Sequence, residues 1–120
     1  MSILEQDGKM STVRLWPSLK MIDILNPDPN LIHIEDITHS LSKICRFTGH
    51  IRKFYSVLEH SIQVAYFVKY LNGSKDEIKT ALLHDASEFI CNDLSSPLKR
   101  QVESYRVIED NVQRVIAEKY

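Results

Sequence analysis

Twice in this chain a serine stands three residues ahead of a glutamate at the head of a run with helical spacing: Ser56 with Glu59, and Ser74 with Glu77. In such a capping box the serine hydroxyl takes the N3 amide and the glutamate reaches back to the cap amide, so the pattern marks where a helix begins. The first box opens a helix expected over about Val57 to Leu71, with His60, Val64, Phe67 and Leu71 on one stripe. Asn72-Gly73-Ser74 reads as a turn, and the second box opens a helix expected over about Lys75 to Ile90. Two helices joined by so short a turn pack antiparallel and side by side.

The remainder is read around that hairpin. Ile34, Ile37, Leu41 and Ile44 recur at helical spacing, with Gly49 expected to end that helix and a loop to follow as far as Tyr55. Met1 to Leu31 reads as irregular or extended. Trp16-Pro17 and the run Asn26-Pro27-Asp28-Pro29-Asn30 mark loops there, because proline fixes φ and disfavours helix before it. A short turn or helix is expected at Pro97 and a last helix over about Tyr105 to Lys119. With 120 residues, 43% of them hydrophobic and 26% charged, the chain suits one core. The expected fold class is all-α: an irregular segment over 1–31, then a compact helical bundle over 32–120. The last helix is still running at Tyr120, so a truncated C-terminus is expected.

Bulk charge narrows the function classes. Fifteen basic and sixteen acidic residues leave a net charge of -1, which gives no whole-chain case for binding nucleic acid or membrane non-specifically. No helix is basic enough to read DNA. No apolar run approaches the roughly 20 residues that cross a bilayer. The N-terminus carries Glu5 and Asp7 and lacks the order of a signal peptide. Cys45 and Cys91 stand alone, without CxxC spacing, so the expected location is a reducing cytoplasm.

The chemistry lies in the stretch Ala81-Leu82-Leu83-His84-Asp85-Ala86-Ser87-Glu88-Phe89. Ile78, Ala81, Leu82 and Phe89 are placed to face a core, yet His84 and Asp85 sit among them and Glu88 follows one turn later. Burying charge there costs several kcal/mol or more unless a partner compensates. One reading is plain: a salt bridge at the helix edge and a satisfied core histidine. A lone His-Asp pair arises by chance in roughly one chain in three of this composition. The sharper reading brings His60, on the facing helix, to His84 and Asp85. Two imidazoles and a carboxylate suit a divalent transition metal, with Glu88 as an orienting group or general acid/base.

Four segments in order, Glu59 to Ala65, Ala81 to Glu88, Asn92 to Lys99 and Tyr105 to Asp110, resemble the HD-domain phosphohydrolases. The nearest likeness is to the deoxynucleotidase-like branch and to related phage deoxynucleotide hydrolases, and it spans about Ile34 to Ile116. The resemblance implies an HD-type helical bundle and hydrolysis of nucleotides, deoxynucleotides above all, by metal-activated water. It implies His60, His84 and Asp85 as ligands of a divalent ion (Mn, Co, Zn, Fe or Mg). It implies Glu88 and Asp93 as catalytic carboxylates, and Arg46 and Lys99 as phosphate-binding cations. A homo-oligomer is common among such proteins. The family's fourth ligand is an Asp on a later helix, which this chain does not reach before Tyr120. The alternative is therefore a catalytically inactive module on the same fold that binds a nucleotide or a partner.

Other residues carry two readings each. His50, after Gly49, reaches a phosphate or a base, or is an exposed loop histidine. His39 reads as packing or surface rather than pocket lining, and His33 as a loop residue. Arg52 and Lys53 form a phosphate-attracting rim or a solvated turn. Trp16 stacks on a base or, more in keeping with its place, anchors the terminus to the core.

Overall fold

Both capping boxes form. In the computed structural model, which describes residues 10–120, Ser56 Oγ accepts from the Glu59 amide at 3.0 Å and Glu59 Oε1 from the Ser56 amide at 3.1 Å. Ser74 and Glu77 repeat the pair at 3.1 and 2.9 Å. The expectations for Met1 to Lys9 lie outside the described residues. In chain order the elements are β1 (Thr12–Arg14), β2 (Met21–Asp23), a 3-10 turn (Pro29–Leu31), α1 (Ile34–Lys43), a second 3-10 turn (Arg46–Gly49), α2 (Val57–Tyr70), α3 (Lys75–Leu83), α4 (Glu88–Cys91), α5 (Ser96–Lys99) and α6 (Glu103–Lys119). Among the described residues the chain is mostly helical, with one small antiparallel sheet. No helix among the described residues is long and apolar enough to cross a membrane.

The core is built around α6. Val112, Val115 and Ile116 are buried together with Ile37 and Leu41 of α1, Val57 of α2 and Phe89 of α4. Each such side chain contributes about 1.5–3 kcal/mol when fully buried. Where the sequence reads as irregular or extended, the structure has a hairpin of two short strands in register Val13↔Ile22. Its Leu15 and Ile22 enter the same core. Asp36, buried near the start of α1, accepts from the Ser18 amide at 2.9 Å and ties the hairpin down. Trp16 does not anchor the terminus; it is 60% exposed, and the aliphatic pair does that work.

Three helix expectations are corrected. α1 ends at Lys43, and Gly49 belongs to a separate turn. Phe67 and Leu71 do not share a buried stripe with His60, being 62% and 60% exposed. The buried ridge of α2 is Val57, Ser61 and Ala65, one residue per turn, and its small members let neighbouring helices approach closely. The helix expected over 75–90 is broken. It stops at Leu83, residues 84–87 form turns, and α4 restarts at Glu88. Through the break the bonds tighten to i→i−3, as from Ala86 N to Leu83 O at 3.0 Å and Glu88 N to Asp85 O at 3.0 Å.

Candidate metal centre and cleft

That break carries the site. His84 caps the C-terminus of α3 and Asp85 follows it in the turn, while His60 lies one turn into α2. Because α2 and α3 form the antiparallel hairpin, the three side chains converge. Each offers one ligand atom, and these atoms lie within 4.8 Å of one another. Asp85 Oδ2 is 3.0 Å from His84 Nε2 and 3.4 Å from His60 Nε2, and the two rings stand edge to face at 5.2 Å.

The hydrogen bonds fix which nitrogen of His84 faces the cluster. His84 Nδ1 stands 2.5 Å from the Ala81 carbonyl, which can only accept, so Nδ1 carries a proton and Nε2, 3.0 Å from Asp85 Oδ2, is the nitrogen left to face an ion. Hydrogen bonding to Asp85 is the largest influence on His84 and raises its pKa. Burial, then the Arg46 charge, lowers that of His60 and favours the neutral ring a metal requires. Burial alone would push the Asp85 carboxyl up, but hydrogen bonding and charge from His84 outweigh it and hold it below its ordinary value. Two nitrogen donors and an ionised oxygen donor at this spacing fit a divalent metal ion.

Carboxylates surround the cluster. Glu88 is buried at the start of α4, and its Oε1 has no hydrogen-bond partner among the described residues. Burial first, then the charges of Asp85 and Asp93, push its pKa up to about 9, so it holds a proton at neutral pH. Asp93 is half-buried, and burial raises its pKa against the pull of Arg46. Glu88 and Asp93 line a cleft of about 700 Å³ together with Cys45, Thr48, Asn92 and Ser95.

Arg46 bridges the two groups. Its Nη1 donates to His60 Nδ1 at 2.9 Å, and its Nε lies 3.9 Å from Asp93 Oδ2. It is placed by a strained turn: Phe47 and Thr48 adopt φ of 59° and 54°, and Gly49 a φ of 80°. Left-handed backbone costs roughly 1–2 kcal/mol at a non-glycine residue. The loop is pinned below by bonds from Arg46 N to Tyr55 O and from Val57 N to Ile44 O, both 2.9 Å.

Two assignments from the sequence look different in place. Lys99 pairs with Glu109 at 3.2 Å and sits over the Tyr105 ring, so its charge is already matched. His50 is exposed, and its imidazole makes no hydrogen bond, ion pair or ring contact with the cluster among the described residues. His39, Arg52 and Lys53 are exposed, and His33 caps α1. Sequence reasoning missed Glu109, which lies inside a resembling segment, and Gln113. Gln113 reads as an ordinary polar position on an amphipathic helix, with nothing local to single it out.

The chain is 42% identical over 98 residues to the uncharacterized protein YfdR of Escherichia coli (strain K12), covering 82% of this chain and 51% of that protein. It is 34% identical over 107 residues to an uncharacterized protein of Rhodobacter capsulatus, covering 82% of this chain and 55% of the other. The chain therefore spans about half the length of the curated relatives it matches. No known family profile matches it.

Proposed function

We propose that this chain is an HD-type, metal-dependent phosphohydrolase domain acting on nucleotides, deoxynucleotides in particular. The observation that supports it is the convergence of His60, His84 and Asp85, with ligand atoms within 4.8 Å, beside a cleft lined by Glu88 and Asp93. His60, His84 and Asp85 would hold a divalent ion, which would supply Lewis acidity and lower the pKa of a bound water towards about 7.

The chain's own groups divide the remaining work. Arg46 is poised to move from His60 to a phosphoryl group, where a planar guanidinium bonds two oxygens at once. Glu88, at the cleft wall close behind Asp85 in the chain, is suited to pass a proton to a leaving oxygen. Asp93, beside Arg46 at the cleft wall, accepts hydrogen bonds from a sugar or from water. Lys99, paired with Glu109, acts on Asp93 through its charge at longer range.

The test is phosphate release from a panel of nucleoside mono- and triphosphates, ribo- and deoxyribo-, with Mn²⁺ or Co²⁺ added. Release that favours deoxynucleotides and is abolished in His84→Ala is the expected result. Nucleotide binding with no release under any metal would favour the inactive binding module. Neither binding nor release would overturn both.

A further inference from the structure

An uninterrupted α-helix through the break would pair the Ser87 amide with the Leu83 carbonyl, donor at i and acceptor at i−4. The structure gives both groups to one side chain. Gln113 Nε2 donates to Leu83 O at 2.9 Å, and Gln113 Oε1 accepts from Ser87 N at 3.0 Å. The carboxamide is thus inserted as a rung in the helix ladder, one of the few ways to break a helix without proline. The Leu83 carbonyl keeps a second bond from Ala86 N, so both of its lone pairs are used.

What lies between the two bonded groups is His84-Asp85-Ala86, and the first two are site residues. Were the ladder to close directly, the Ser87 amide would return to Leu83. The turn would become helix, and successive side chains would be spaced by helical rotation instead of converging on His60. Gln113 is well placed to prevent this. Its neighbours Val112, Val115 and Ile116 are buried in the core, so its own backbone is fixed. Ser87 is buried too, so its amide depends on the carboxamide for a partner.

We propose that Gln113 is a positioning residue of the metal centre: its carboxamide holds the α3–α4 break open and thereby sets His84 and Asp85 against His60. This rests on the metal-binding reading above, but the geometric part can be tested without metal.

Gln113→Met keeps the length of the side chain and removes both bonds; Gln113→Glu keeps the acceptor for Ser87 and removes the donor to Leu83. Val112→Ala is the control, removing core packing next to Gln113 while leaving both carboxamide bonds possible. In chelator, ¹H–¹⁵N spectra of the imidazoles should show His60 and His84 shifted in Gln113→Met and, to a smaller extent, in Gln113→Glu. His33 and His39 should stay in place, and Val112→Ala should match the wild type at His60 and His84. With Co²⁺, the loss should be about 10–100-fold in affinity for Gln113→Met, with an altered d–d spectrum, and none for Val112→Ala. Imidazole signals identical to wild type in both Gln113 variants would overturn the proposal, and Gln113→Glu alone decides it if Gln113→Met does not fold. If the imidazoles move but wild-type protein takes up no Co²⁺, the positioning role stands and the metal reading falls.

Discussion

Nη1 of Arg46 lies 2.9 Å from Nδ1 of His60, and the guanidinium can only donate. Nδ1 is therefore the acceptor, and the ring proton sits on Nε2, the nitrogen that faces Asp85 at 3.4 Å. For Nε2 to ligate a metal, the proton must pass to Nδ1, where it would meet a second donor. Metal binding at His60 thus requires Arg46 to let go, and the freed guanidinium is the one assigned to phosphate. Arg46→Ala is expected to bind Co²⁺ up to about tenfold more tightly, since a competing cation is removed. The same variant should bind a nucleotide at least about tenfold more weakly. Isothermal titration with each ligand checks both; an unchanged metal affinity would show that the contact does not compete with loading.

Metal should stabilise the fold. A ligand that binds only the native state adds about 2.7 kcal/mol at a hundredfold excess over Kd, or roughly 10 °C for a domain of this size. Wild-type melting temperature should rise on adding Mn²⁺ or Co²⁺ and fall back with chelator. His84→Ala and Asp85→Ala should show no such shift. A wild-type protein indifferent to every divalent ion would leave the cluster as a structural ion pair.

Glu88 makes stability depend on pH in chelator-treated protein. Its folded-state pKa is about 9 against an ordinary 4.5, so the folded chain holds this proton more tightly than the unfolded one. The contribution is complete below the unfolded value and is lost as pH rises towards 9. Glu88→Gln should remove this slope, gaining on the wild type between pH 5 and pH 9 in urea titrations. In assays with metal the same variant should lose kcat more than KM, because proton donation belongs to the transition state. Parallel urea curves at the two pH values would argue against a buried neutral carboxyl.

Ser74 separates stability from chemistry. Its hydroxyl accepts from the Glu77 amide at the exposed end of α3, far along the helix from His84. Ser74→Ala should cost about 1 kcal/mol of unfolding free energy. Co²⁺ affinity should be unchanged. A loss of affinity comparable to that of Asp85→Ala would mean that the whole helix, and not its broken end, governs the site.

The sequence by itself determined what is local. Ser56-Glu59 and Ser74-Glu77 set two helix starts because a capping box closes within four residues and needs no other part of the chain. The short turn between those helices is enough to bring His60 towards His84 and Asp85, and these three residues are legible in the sequence alone as candidate ligands. Tertiary structure decided whatever depends on a distant partner. The apparent helix over 75–90 breaks because Gln113, 30 residues beyond Leu83, takes the bond that would have continued it. Leu15 and Ile22 turn a proline-marked, loop-like stretch into a hairpin because the core has room for them. Phe67 and Leu71 face outward because the close contact falls on Ser61 and Ala65, which helical spacing alone does not reveal. Lys99 is matched by Glu109, a pairing between α5 and α6 that the spacing of the two residues does not announce. Periodicity and caps act over one or two turns, whereas a buried amide or a charge is satisfied by whichever group the packed chain brings within about 3 Å.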